Sequence, residues 1–80
     1  MRFAAKTEAE LADWIWRRAI EIAAGEGDRI DPRRPGITRT REPVGLGIHW
    51  CLADYQDATG LGYIRVAAAE ASGQFDLSPA

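Results

Sequence analysis

The sequence predicts a small α+β domain in which one N-terminal amphipathic helix packs on an antiparallel sheet built around a β-hairpin. Three observations point there. Residues 7–24 repeat apolar side chains at helical spacing. Residues 48–52 alternate as a strand does. Gly60 and Gly62 then separate that run from a second alternating stretch, 63–66. The alternative is an all-α domain of three helices. The 80 residues are expected to form a single domain, 1–80. That is near the size at which one core suffices without staples.

The helix is expected over about residues 7–24. Thr7 and Glu10 have the spacing of a capping box, and Glu8 and Glu10 suit the positive end of the helix dipole. Gly25 and Gly27 supply the stop. At about 100° per residue, Leu11, Ile15, Ala19 and Ile22 fall together, flanked by Ala12, Trp16, Ile20 and Ala23. The opposite face carries Asp13, Arg17, Arg18, Glu21 and Trp14. Trp16 therefore lies at the edge of the core-facing arc, while Trp14 stands among charges. Three accounts of Trp14 are open. The loop or tail covers it through Pro32, Pro35 or Phe75; it anchors a self-complementary patch between two copies; or it binds another macromolecule.

Residues 25–44 read as a connection rich in arginine and proline, with Arg29, Arg33, Arg34, Arg39 and Arg41 and a short edge strand at 37–41. The hairpin is expected over about 46–69. Ile48, Trp50 and Leu52 form one strand face, Asp54 and Asp57 flank the turn, and Ile64 and Val66 lie on the return strand. In the helical alternative, Ile48, Cys51, Leu52 and Tyr55 line a short helix and an alanine-rich helix follows. In the tail, 70–80, Phe75 and Leu77 could add a short strand or clasp. The expected core is Leu11, Ile15, Trp16, Ile22, Ile48, Trp50, Leu52, Ile64 and Val66.

The single cysteine, Cys51, excludes an intramolecular disulfide and a cysteine-rich zinc site. His49 and Cys51 would share a sheet face, but a thiol nucleophile needs contact with the imidazole and a third orienting group. The glycines at 45, 47, 60 and 62 match no phosphate-loop or dinucleotide pattern. No cofactor and no metal are expected. A net charge of −2 argues against general nucleic-acid affinity. Residues 56–70, QDATGLGYIRVAAAE, resemble the turn and second helix of a helix-turn-helix. Gln56 stands where that family has a small residue. The resemblance implies a DNA-binding regulator with the arginine loop as an arm, although Arg65 is the only long basic side chain on its reading helix.

The sequence thus leads to a small non-catalytic protein–protein interaction module. One patch comprises Trp14, Arg17 and Arg18, and a second Arg33, Arg34, Arg39 and Arg41. The expected partner is another protein or protein complex, with a homodimer as the self-complementary case and nucleic acid less favoured. A phage or mobile-element inhibitor occluding a host complex, in the manner of anti-CRISPR proteins, would have this size and character. A Cys51-dependent enzyme is the third class. No membrane span or signal peptide is apparent, so a cytoplasmic location is expected.

Overall fold

A computed structural model describes residues 3–53 and 59–79. The elements are β1 (Ala4–Lys6), α1 (Glu8–Gly25), β2 (Ile37–Val44), β3 (Ile48–Leu52), α2 (Leu61–Ser72) and β4 (Phe75–Leu77). The fold is α+β: α1 packs along α2 and against the antiparallel β2–β3 hairpin, and β1 and β4 form a second, parallel pair.

The helix α1 begins as its sequence dictates. The Thr7 hydroxyl accepts the Glu10 N–H at 3.1 Å, and the Glu10 carboxylate accepts the Thr7 N–H at 2.9 Å. The hydrogen bond from the Thr7 backbone, with that from its hydroxyl, holds the Glu10 carboxyl below its ordinary pKa. Thr7→Ala removes the cap acceptor and is expected to cost about 1 kcal/mol. Thermal unfolding should show this as a midpoint lowered by roughly 4–8 °C. An unchanged midpoint would mean that the cap adds nothing to the fold.

The hairpin lies one element earlier than expected. The partner of β3 is β2, and residues 61–72 are a helix instead of a return strand. Gly45 and Gly47 make the turn, with φ of +56° and +110°. Three alanines at 67–69 favour helix, and four residues with strand-like alternation before them are too few to resist. The buried positions of α2 are Ile64, Ala67, Ala68 and Ala71, a spacing of three and four. Val66 falls outside that stripe and is 50% exposed, so it leaves the expected core. Before α2 the chain forms a strand, β3, which removes the first helix that a helix-turn-helix requires. Asp54 and Asp57 lie outside the described residues.

The core draws on every layer: Leu11, Ile15, Ala19 and Ala23 from α1, Ile48 and Trp50 from β3, the α2 stripe, and Leu77 from β4. Trp16, Ile22 and Leu52, also expected inside, are only partly buried. The long connection is tied down. Asp28 N–H donates to the Ala23 carbonyl at 2.8 Å, Asp31 N–H to the Thr59 carbonyl at 2.8 Å, and Ala53 N–H to the Gly36 carbonyl at 2.9 Å. The Tyr63 hydroxyl donates to Asp28. That bond, with burial and the Asp28 charge behind it, pushes the Tyr63 pKa up to about 12. Arg39, Arg41, Glu42 and Pro43 all lie on β2, a composition that discourages a strand from recruiting another chain.

The tail does form the short strand. Parallel pairing matches Ala4 with Phe75 and Lys6 with Leu77. The two strand pairs are then joined by side chains. Trp50 Nε1–H donates to the Phe75 carbonyl at 3.0 Å, and the Asp76 carboxylate accepts the His49 backbone N–H at 2.7 Å.

Candidate functional site

The tail strand β4 decides what happens to Trp14. Phe75 and Leu77 share one strand face. Leu77 is buried, and Phe75, packed at the edge of the same core, meets the indole edge-to-face, ring centroids 5.1 Å apart and planes at 71°. Lys6 Nζ sits 4.7 Å from the Phe75 ring centroid. Trp14 is therefore half-buried by its own chain, as one of the three accounts anticipated. Its remaining surface lines an open groove of about 450 Å³ together with Lys6, Glu10, Asp13, Arg17, Arg18 and Glu21.

The charges around this groove are ordered in pairs. Asp13 takes Arg34 Nε at 2.9 Å on one oxygen and Arg17 Nε at 2.7 Å on the other. The Arg34 hydrogen bond, with Arg17 behind it, holds the Asp13 carboxyl below its ordinary range. Arg18 binds Glu70 of α2 at 2.7 Å and Glu21 at 3.0 Å, and the Glu70 bond first among these raises the guanidinium pKa further. Arg34 also stacks on Trp16, its Cζ 4.5 Å from the ring centroid, while Trp16 Nε1–H donates to the Asp31 carbonyl at 3.0 Å.

The structure brings Trp14, Arg17 and Arg18 together and adds Arg34, which the sequence had placed in the other patch. It disperses the rest of that patch. Arg33 folds back on Asp31, with both N–O distances 3.0 Å. Arg39 donates to the Ser78 carbonyl at 2.7 Å. Arg41 is exposed on β2.

A second constellation escaped sequence reasoning. Asp76 Oδ2 lies 2.9 Å from His49 Nδ1, while its Oδ1 accepts the backbone N–H of His49 and, at 2.8 Å, of Leu77. Cys51 shares the outer face of β3 with His49, but no hydrogen bond joins the thiol to the imidazole among the described residues. Nor do the described residues contain a group of three or more His, Cys, Asp or Glu side chains placed to hold a metal ion. None of the described helices is long and apolar enough to cross a membrane. No protein-family model matches the chain, and neither a curated protein nor a solved structure matches it.

Proposed function

We propose that this chain is a non-catalytic protein–protein interaction module that engages its partner through the outer face of α1. The observation that carries the proposal is the presence of Trp14 in the lining of a groove otherwise lined by charged side chains. An aromatic anchor fixed by a second ring loses little freedom on binding, and tryptophan and arginine are the side chains most often dominant in interfaces. The pairs Arg17–Asp13 and Arg18–Glu21 offer both signs of charge to a partner. The mode of action we infer is occlusion of a partner complex, as a phage or mobile-element inhibitor would act. A nucleic-acid partner is less well supported. Arg17, Arg18, Arg33 and Arg34 already spend their charge on carboxylates, which weakens the field a phosphate backbone would meet.

The test uses Arg17→Glu and Trp14→Ala variants. The Arg17 side chain is 70% exposed, so its reversal changes the groove without disturbing the core. Tagged wild type is expected to retain a specific protein from a lysate of the native host, and both folded variants to lose it. Sedimentation of the purified proteins separates that outcome from self-association. A partner held equally well by all three proteins would place the interface elsewhere.

A further inference from the structure

We infer that the cleft between β2 and the C-terminal tail binds a phosphate monoester group. The cleft has a volume of about 380 Å³ and is lined by Arg39, Thr40, His49, Asp76, Leu77 and Pro79. The inference is independent of the α1 groove, which is built from other residues.

The first component is a held cation without a counter-charge. Arg39 is fixed by a neutral carbonyl, that of Ser78. It has no carboxylate partner among the described residues, unlike Arg17, Arg18, Arg33 and Arg34. A guanidinium has five N–H donors, and the Ser78 bond occupies one. The second component is an oriented imidazole. Asp76 cannot swing away, because its other oxygen holds two backbone N–H groups. A carboxylate only accepts, so the proton of the neutral ring lies on Nδ1 and the lone pair on Nε2. The side chain is 44% exposed, and the edge turned away from Asp76 carries Nε2. Between the Arg39–Trp50 and Val44–Ile48 pairs the register shifts, and this bulge in β2 runs beside the cleft.

The same cleft is thus lined by a cationic donor and by an acceptor. A carboxylate or sulfate carries no proton at neutral pH, and its lone pairs would oppose that of Nε2. A phosphate monoester has its second pKa near 6. As the monoanion, a form still accessible at neutral pH, it can give a P–OH hydrogen to Nε2 while its remaining oxygens accept from Arg39. Transfer of that proton leaves an imidazolium beside a dianion, the same total charge, with Asp76 on β4 supporting the imidazolium and Arg39 on β2 the dianion.

The experiment is an NMR titration of the whole labelled protein with inorganic phosphate, O-phosphoserine and sulfate at matched ionic strength. It reads the His49 ring and the Arg39 Nε–H. Phosphate and O-phosphoserine should give saturable shifts confined to His49, Arg39 and Thr40. Sulfate should bind about tenfold more weakly, because it leaves Nε2 unsatisfied. Arg39→Gln should abolish saturation. His49→Phe keeps a planar aromatic side chain and the backbone N–H that Asp76 accepts, and should bring phosphate down to the sulfate level. Binding of inorganic phosphate but not O-phosphoserine would overturn the monoester assignment. Equal affinity for sulfate, shifts shared with Arg41 and Arg65, or absence of saturation would each overturn the site.

Discussion

Replacing Gly60 by alanine is expected to destabilise the protein by about 2–5 kcal/mol, from two sources that act at one atom. Gly60 caps the start of α2 with φ of +78°, a left-handed conformation that costs an L-residue about 1–2 kcal/mol. The added Cβ would stand 2.6 Å from Ile30 Cγ2 and 3.0 Å from Ile30 Cα. The methyl could rotate aside, but the backbone atom cannot, because Asp31 next to it is bonded to the Thr59 carbonyl. Overpacking of this kind adds about 1–3 kcal/mol. Gly62, two residues later, is the control. A Cβ there meets nothing within 4 Å, and Gly62→Ala inside the helix should stabilise by about 0.5–1 kcal/mol. Urea denaturation of the two variants should therefore move the midpoints in opposite directions. If Gly60→Ala unfolds with the wild-type midpoint, the close approach of the loop to α2 is wrong.

These two glycines also explain where sequence reasoning went astray. Gly60 and Gly62 looked like the turn of a hairpin, and the four residues after them alternated. The helix that forms instead buries mainly alanine, at 67, 68 and 71. A stripe of alanines gives little hydrophobic contrast, so its spacing of three and four was hard to see. The true partner of β3 was concealed differently. Residues 37–44, ITRTREPV, contain β-branched side chains at 37, 38, 40 and 44, as a strand should. Arginines and a proline among them made the stretch read mostly as loop. By contrast α1 was legible throughout, because its cap, its dipole charges and its periodicity are all local.

The candidate surfaces divide along the same line. Trp14 was conspicuous because it stood on a charged helix face, and the face alone identified Arg17 and Arg18 as its neighbours. Phe75 stood among the candidate covers with Pro32 and Pro35, but nothing local could choose it, or announce that Arg34 would share Asp13 with Arg17. Both contacts depend on how the tail and the loop return to α1. The partner of His49 lies 27 residues away, on a strand whose own pairing is with the other end of the chain. The acid nearest His49 along the chain is Asp54, whereas the fold supplies Asp76.

Asp76→Ala is expected to cost about 2–3 kcal/mol, because the carboxylate ties β4 to β3 through the His49 backbone and ring. Its loss strands the His49 N–H, which is only partly exposed, and removes hydrogen bonds to a charged group. The pH dependence tests the charge separately from the shape. Burial pushes the Asp76 carboxyl upward, but hydrogen bonds from the His49 ring and from the backbones of His49 and Leu77 outweigh it, and the group ends below the ordinary aspartate range. A depressed folded pKa means that the stabilisation is complete above the unfolded value, near 3.9, and is lost as pH falls from there through the folded value. The gap between wild type and Asp76→Ala should thus narrow once the pH drops below about 4. Asp13 and Asp31 are also depressed, so the wild type alone would not isolate the contribution. The difference between the two proteins does. Amide exchange then locates the effect. If the carboxylate is the joint, exchange should accelerate first at Leu77, at Ser78, which donates to Lys6, and at Ala4, which donates to Gln74. A gap that does not change with acid would mean that the size of the side chain, and not its charge, holds β4 in place.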